Sequence, residues 1–169
     1  MRRQLVRSNI NPLSLPHFFF AGKSVLTFQN QDKGTHITVK STQARDRADR
    51  KIKLPYFFIK VRVLGDNESG FVFAGTIFQD SMRYTLSSKV NKGEQIDNIM
   101  KFLMTALKRP AVLKERHVSL LHEGHCCRCG LPLTHPESID TGFGPDCLKT
   151  VLSANEGLDF REFFEKIGK

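Results

Sequence analysis

The first half of the chain alternates apolar and polar residues in short blocks, which is typical of β-strands. The clearest strand is residues 56–64, where apolar side chains at every second position alternate with Lys60 and Arg62. Four shorter strands are predicted around it, at residues 24–28, 36–39, 71–78 and 83–86. A turn at residues 65–70 joins two of these strands into a hairpin. The pattern therefore predicts an antiparallel sheet.

One segment after these strands has helical spacing. Apolar residues recur every three or four positions between residues 96 and 107, and Pro110 prevents a long continuation. We expect this helix to cover one face of the sheet, which makes the fold class α+β. The methionines in its apolar stripe indicate core packing, with a groove for a partner as the alternative.

The ends of the chain extend this body. Residues 1–20 are predicted to form an extended arm whose Phe18, Phe19 and Phe20 dock on the core. A capping box at residues 159–162 predicts a C-terminal helix with apolar side chains at positions 160, 163, 164 and 167. The predicted organisation is an arm (1–20), a sheet-plus-helix domain (21–110) and a metal-binding module (111–169), with residues 111–121 as the link.

Composition agrees with a globular protein of the cytoplasm. The chain has 169 residues, of which 40% are hydrophobic, enough for a real core. No apolar stretch approaches the ~20 residues needed to span a bilayer, and the N-terminus lacks the apolar segment of a signal peptide. We therefore expect no membrane association.

Charge favours an anionic partner. The formal net charge is +9 and the isoelectric point is near 9.6, so the surface attracts phosphate polymers. An exposed, mobile loop is predicted to supply most of the contacts, through Lys40, Arg45, Arg47, Arg50, Lys51 and Lys53. A second basic group before the metal-binding module includes Arg109 and Arg116. The alternative is that these charges only keep the protein soluble.

Aromatic side chains on the predicted strands offer a second kind of contact. Tyr56, Phe58, Phe71, Phe73 and Tyr84 can stack on bases if one sheet face is open, as in proteins that bind single strands. Core packing is the favoured role for most of them. No nucleophile elbow and no pair of catalytic carboxylates stands out, so we expect no enzymatic activity.

All four cysteines fall within one short segment. Cys126 and Cys129 have the spacing of a zinc knuckle, and Gly130 relieves the strain of the tight turn between them. Cys147 follows a Gly-x-Gly-Pro sequence, which places it in a first helical turn. These three sulfurs are the predicted ligands of one structural zinc ion. Unligated thiols or a disulfide are the alternative, but no secretory signal supports a disulfide.

The fourth ligand is less determined by spacing. His122 lies four residues before the knuckle and can fold back onto the ion, while His135 in the intervening loop is its main rival. The less favoured candidates are Cys127, His125 and Asp146. Three sulfurs and one imidazole leave no position for water, so the site is predicted to be structural rather than catalytic.

The segment from Cys126 through Gly130, Thr134 and Pro136 to Cys147 resembles the terminal signature of an uncharacterised protein family from bacteriophage and prophage genomes. The likeness spans roughly residues 22–150. It implies a His-Glu-Gly-like segment that favours His122 as a ligand, and a phage protein acting in the cytoplasm of a bacterial host. The fold predicted for the cysteine segment itself is a small treble-clef-like zinc-knuckle module. It implies no activity.

Two functions are compatible with these features. The favoured hypothesis is a non-enzymatic, zinc-stabilised protein that binds DNA or RNA through its basic loops. The alternative is a phage factor that binds a host nuclease, polymerase or defence protein and inhibits or redirects it. Salt-dependent binding to nucleic acid distinguishes the first from the second.

Overall fold

The computed structural model describes residues 6–62 and 70–154. Its strands are β1 (Ser8–Ile10), β2 (Lys23–Asn30), β3 (His36–Arg45), β4 (Lys53–Arg62), β5 (Phe71–Phe78), β6 (Arg83–Leu86) and β7 (Val118–His122). Its α-helices are α1 (Leu15–Phe19), α2 (Gln95–Lys108), α3 (Ala111–Glu115), α4 (Pro136–Thr141) and α5 (Pro145–Ala154), with a 3-10 turn at Pro12–Ser14. Most of the predicted turn at 65–70 and the predicted C-terminal helix lie outside the described residues.

The described strands form one antiparallel sheet in the order β1-β7-β2-β3-β4-β5-β6. The α+β class with an antiparallel sheet is thus confirmed. Strands β5 and β6 have the predicted bounds, whereas the other three predicted strands are extended or shifted at their ends. Strand β3, for example, runs to Arg45 instead of ending at Val39. Thr42 and Gln43 continue the alternation with polar side chains, which hid the second half of this strand from a search for apolar residues.

The alternating residues of β4 separate as predicted. Phe57, Ile59 and Val61 have no exposed surface, while Lys60 on the opposite face is exposed. Each fully buried side chain of this kind contributes roughly 1.5–3 kcal/mol. These residues form the core together with the inner stripe of α2, which includes Met100 and Leu103. We call this side of the sheet the core face and the other side the open face.

More than one helix lies on the core face. Phe20, which ends α1, contacts the Phe57 ring at 5.0 Å, and Phe102 of α2 contacts the Phe28 ring at 5.7 Å. The burial of Phe18 and Phe19 confirms that these side chains dock on the core. The segment around them is a short helix instead of an extended arm, because five residues are too few to show a helical period.

Strand β7 joins the C-terminal part of the chain to the sheet. It lies between β1 and β2, so residues predicted to be a linker form an inner strand. Its alternation is only five residues long, with Val118, Leu120 and His122 buried. The division of the chain into three domains stays a prediction. Within residues 6–62 and 70–154, every helix is too short or too polar to cross a bilayer.

Candidate metal centre and basic sheet face

A tight loop directly after β7 holds the first two sulfur atoms. The backbone N–H of Gly130 donates to the carbonyl oxygen of Cys126 at 2.8 Å, and the N–H of Cys126 donates to the carbonyl of Leu131 at 2.8 Å. Gly130 has φ +81°, a backbone conformation that side chains disfavour. The loop therefore has the predicted form of a knuckle, with Cys126 and Cys129 on one turn.

The third sulfur comes from the start of α5. Pro145 is the first residue of this helix and Cys147 lies in its first turn, as predicted. The sulfurs of Cys126, Cys129 and Cys147 lie within 4.8 Å of one another. A tetrahedral ion with bonds of ~2.3 Å holds sulfurs ~3.8 Å apart, since the separation is twice the bond length times the sine of half the tetrahedral angle. Adjustments of about 1 Å would then suffice, so the three cysteines can hold a metal ion.

The surroundings of the sulfurs differ. Burial raises the pKa of the Cys126 thiol, but hydrogen bonds from the backbone of Cys129, Gly144 and Arg128 outweigh it, so the net shift is downward. Burial also raises the pKa of the Cys147 thiol to about 11, although the Arg128 guanidinium donates to its sulfur at 3.6 Å. Cys126 is thus better prepared than Cys147 to bind a cation as a thiolate.

The proposed histidine ligand His122 does not join the three cysteines. It lies on the core face of β7, where its Nε2 donates to the carbonyl of Ile139 at 2.5 Å and its Nδ1 accepts from the N–H of Gly124 at 3.0 Å. Burial lowers the pKa of this imidazole, which keeps it neutral. Both ring nitrogens are therefore engaged in hydrogen bonds that hold the cysteine loop to α4.

The other candidates for a fourth ligand also lie apart from the sulfur cluster. His135 is exposed at the start of α4, and Asp146 is exposed in the first turn of α5. Cys127 is fully buried and its pKa is raised by burial, which is the environment of an inert thiol. His125 pairs with Pro132 in an isolated β-bridge. Among the described residues, the group that could hold a metal ion consists of the three cysteines alone.

The cysteine loop is attached directly to the sheet. The N–H of Lys23 at the start of β2 donates to the carbonyl of Cys127 at 2.9 Å. Gly22 approaches so closely that a Cβ atom there would lie 2.6 Å from the carbonyl oxygen of Arg128. On the other side, Phe143 stacks on Phe18 with ring centroids 5.1 Å apart. The candidate metal centre is therefore packed on the end of the sheet and on α1.

The predicted basic loop is an ordered hairpin end. Lys40 and Arg45 are part of β3, and Lys53 begins β4. Between the strands, Asp46 accepts hydrogen bonds from the N–H groups of Ala48 and Asp49, both at 2.9 Å. Five of the six predicted basic residues are exposed, namely Arg45, Arg47, Arg50, Lys51 and Lys53. Asp46, whose negative charge partly offsets the basic residues, therefore fixes the backbone of this loop.

The hairpin end lies beside the cysteines. Burial and the positive charges of Arg128 and Arg45 lower the pKa of Lys53, while Cys147 in its ionised form acts in the opposite direction. Arg128 was not predicted as a site residue, although its position inside the knuckle was a signal that could have identified it. Positive charge therefore surrounds the sulfur cluster on the side of the hairpin.

The second predicted basic group lies elsewhere. Arg109 forms two hydrogen bonds with the Glu115 carboxylate, at 2.6 and 2.9 Å, which neutralise its charge. Arg116 ends α3, next to the start of β7. Because Val118 pairs with Asn30 at the far end of β2, this group is at the opposite end of the sheet from the hairpin. The structure thus does not combine the two groups into one surface.

The open face of the sheet carries both aromatic and basic side chains. Antiparallel partners share a face, and the pairs Lys40 with Lys60, Lys60 with Phe73 and Arg62 with Phe71 all lie on this side. Phe58 and Phe73 are 42% and 41% exposed and lie 6.3 Å apart. Tyr84 packs toward the core side, where its hydroxyl donates to Asp97 at 2.9 Å. The open face thus includes four of the five predicted aromatic residues, Tyr56, Phe58, Phe71 and Phe73.

The fold and site define an α+β protein with an antiparallel sheet and a cysteine cluster that can hold a metal ion. Residues 120–152 match a family of unknown function, DUF6011. This match confirms that the cysteine segment resembles an uncharacterised family, and it begins within β7 and ends within α5. No curated protein and no solved structure matches the chain.

Proposed function

We propose that this chain is a non-enzymatic, zinc-stabilised protein that binds single-stranded nucleic acid on the open face of its sheet. The observation that carries the proposal is the exposure of Phe58 and Phe73 beside Lys60 on one sheet face. Exposed phenylalanines lose favourable burial, so their presence on a charged face favours a partner with flat apolar surfaces. Bases stacked on such rings contribute roughly 1–3 kcal/mol each.

Zinc is the metal that best fits the cysteine cluster. Thiolate ligands select zinc, and a knuckle followed by a helical cysteine is the arrangement of a treble-clef-like module. The three sulfurs leave one coordination position to be filled by a fourth group. With His122 bonded to Ile139 and Gly124, we propose that its role is to hold the loop rather than to bind the ion. The ion then stabilises the loop and α5 together.

The hairpin end extends the binding surface beyond the aromatic residues. Arg45, Arg47 and Arg50 are exposed on the same end of the sheet as the cysteine loop. Each phosphate that they neutralise in a single strand changes the slope of log K against log salt by about 0.7. Loss of all three arginines is therefore expected to reduce this slope by about 2.

A binding titration tests the proposal. Fluorescence anisotropy with a short single-stranded oligonucleotide at several salt concentrations measures both affinity and salt slope. Replacing Phe58 and Phe73 by alanine is expected to weaken binding by roughly 1–3 kcal/mol per lost stack. Val72 lies next to Phe73 in β5 and is 50% exposed, so Val72→Ala is the matched control for loss of apolar surface.

The arginines need a control of equal charge. The test variant has glutamine in place of Arg45, Arg47 and Arg50. The control variant has glutamine in place of Lys89, Lys92 and Lys108. These three lysines are exposed in or near α2, away from the hairpin. A reduced salt slope only in the arginine variant supports the hairpin as a contact. Absence of binding to any oligonucleotide at low salt would refute the proposed function.

The same exposed rings support a second candidate, in which the partner is a host protein. Phe58 and Phe73 with Arg62 form an apolar patch with a basic rim, which is the composition of many protein interfaces. A pull-down from nuclease-treated bacterial lysate distinguishes the candidates. A stoichiometric protein partner that depends on Phe58 and Phe73 favours the second candidate. The phage origin and the host cytoplasm as the place of action are proposed from the family resemblance alone.

A further inference from the structure

A cavity of about 610 Å³ lies on the open face between the sheet and the cysteine loop. Val25, Lys40 and Thr42 from β2 and β3 line its floor, as their positions on the open face require. Glu123, His125 and Gly130 line the side toward the cysteines. Arg62 and Phe71 line the opposite side, next to the exposed aromatic residues. The remaining lining residues are Arg7 and Lys23.

The charge of this cavity is strongly positive. Among the described lining residues, Arg7, Lys23, Lys40 and Arg62 contribute four cations against the single carboxylate of Glu123. That carboxylate is already bonded to the Arg7 guanidinium at 2.7 Å and to the Thr27 hydroxyl. Among the lining residues that the structure describes, the cations of Lys23, Lys40 and Arg62 therefore have no carboxylate partner. Such a concentration of positive charge is stabilised when an anion enters.

Two of the cations are held in place by an aromatic ring. The Lys40 ammonium lies 4.7 Å and the Arg62 guanidinium 4.9 Å from the centre of the Phe71 ring. Cation–π contacts of this kind restrict long side chains without using their hydrogen-bond donors. The N–H groups of Lys40 and Arg62 are thus positioned for an anionic ligand. His125 adds a further polar atom, because its buried Nδ1 has no hydrogen-bond partner among the described residues.

The location of the cavity selects the kind of anion. A strand stacked on Phe58 and Phe73 reaches the cavity from the Arg62 side and meets the cysteine loop at Gly130. The cysteine loop lines that side of the cavity and therefore lies in the path of the strand. A terminal phosphate monoester carries about −1.5 to −2 charges at neutral pH, which matches the three cations of Lys23, Lys40 and Arg62 better than the single charge of a diester. The volume is in the range of ~300–1,000 Å³ that is typical of small-molecule sites, so an end nucleotide can be accommodated.

We propose that this cavity binds the terminal phosphate of a single nucleic-acid strand, with Lys23, Lys40 and Arg62 as its ligands. The inference rests on the proposed function and adds a preference for strand ends. A strand is then fixed at two places, by stacking on the aromatic residues and by its end phosphate in the cavity.

The test compares three thymidine oligonucleotides of equal length, with a 5′-phosphate, a 3′-phosphate or hydroxyl groups at both ends. Anisotropy titrations of the whole chain are expected to show about tenfold tighter binding for one phosphorylated end, the effect of one charge-assisted contact. The 5′ and 3′ probes show which end is bound. In a competition assay, thymidine monophosphate should displace the phosphorylated probe at concentrations where thymidine does not.

Variants assign the effect to the cavity. Lys23→Gln and Lys40→Gln are each expected to remove the preference for a phosphorylated end, with thermal unfolding as the check that they fold. Lys92→Gln and Lys108→Gln, which remove the same charge from exposed positions outside the cavity, should retain the preference. Equal affinity for the three probes, or a preference that persists in both cavity variants, overturns the end-phosphate site alone. Failure of all three probes to bind overturns the proposed function as well.

Discussion

Loss of one sulfur from the cluster should abolish the dependence of stability on zinc. The ion would connect Cys126 and Cys129 on the loop after β7 with Cys147 on α5, and all three sulfurs lie within 4.8 Å. An ion at 1,000 times its dissociation constant stabilises the folded state by ~4 kcal/mol. For a chain of this length each kcal/mol shifts the melting temperature by about 2–4 °C, so removing the ion should lower it by about 8–16 °C.

The measurement is thermal unfolding of the wild-type chain and two cysteine variants, each with saturating zinc and with excess chelator. Cys147→Ala should melt at the same temperature in both conditions, because two sulfurs do not hold the ion. Cys127→Ala is the matched control, since this thiol is buried but outside the cluster. Its free energy of unfolding should fall by about 1 kcal/mol because of the small cavity left behind, and its melting temperature should still rise with zinc as in the wild-type chain.

Protons compete with the ion for the same sulfurs. Without metal, the pKa of the Cys147 thiol near 11 keeps it protonated at neutral pH, so zinc uptake must release protons. Zinc affinity should therefore fall as pH falls. A chelator effect that survives in Cys147→Ala but disappears in Cys127→Ala would refute the assignment of the ligands, and a wild-type chain that binds no zinc would refute the metal site.

Three further predictions concern the attachment of this site and the core. Gly22→Ala should lower the free energy of unfolding in urea by roughly 1–3 kcal/mol, because the added Cβ would meet the Arg128 carbonyl. Gly34→Ala should lower it by less, since φ is also positive there but nothing lies within 4 Å. Phe143→Ala should lower the free energy of unfolding by about 3–5 kcal/mol in the same assay. Its stability should still depend on zinc unless the loop detaches from the sheet. Asp97 accepts a hydrogen bond from the N–H of Gly93, and this is the largest of the contacts that lower its pKa. The contribution of Asp97 to the free energy of unfolding is therefore present above the ordinary carboxyl pKa and is lost as the pH falls through the lowered pKa. Asp97→Asn should therefore destabilise the chain at neutral pH and flatten the acid limb of its stability profile, and an unchanged acid limb would contradict this account.

The sequence predicted those parts of the fold that repeat a local pattern. Strand β4 and helix α2 bury the side chains that their periods select, because a regular element with one buried face must alternate. Strand β7 was missed for the opposite reason. Its five residues are too few for a period, and its neighbours β1 and β2 lie about a hundred residues earlier in the chain.

The same distinction applies to the candidate site. The three cysteines were predictable because a knuckle and a helix start are local features. The environment of His122 was not, since it depends on Ile139 of α4 and on the inner position of β7. The cavity combines Arg7, Lys23 and Arg62 from three strands or their flanks, and no local spacing indicates that they meet.

A structural ion at the cysteines has a consequence for the binding face, because a backbone hydrogen bond and a side-chain contact of Lys23 join the two. Lys23 donates its N–H to Cys127 and directs its side chain toward the cavity, where its Cδ lies 3.4 Å from the Cβ position of Gly130. Whatever fixes the knuckle therefore also fixes one wall of the cavity. Phe58 and Phe73 lie on β4 and β5, which are separated from β7 by β2 and β3 in the sheet. Removal of the ion should accordingly spare general stacking on the open face and abolish recognition of a strand end, since only the second depends on a wall that the sulfurs hold.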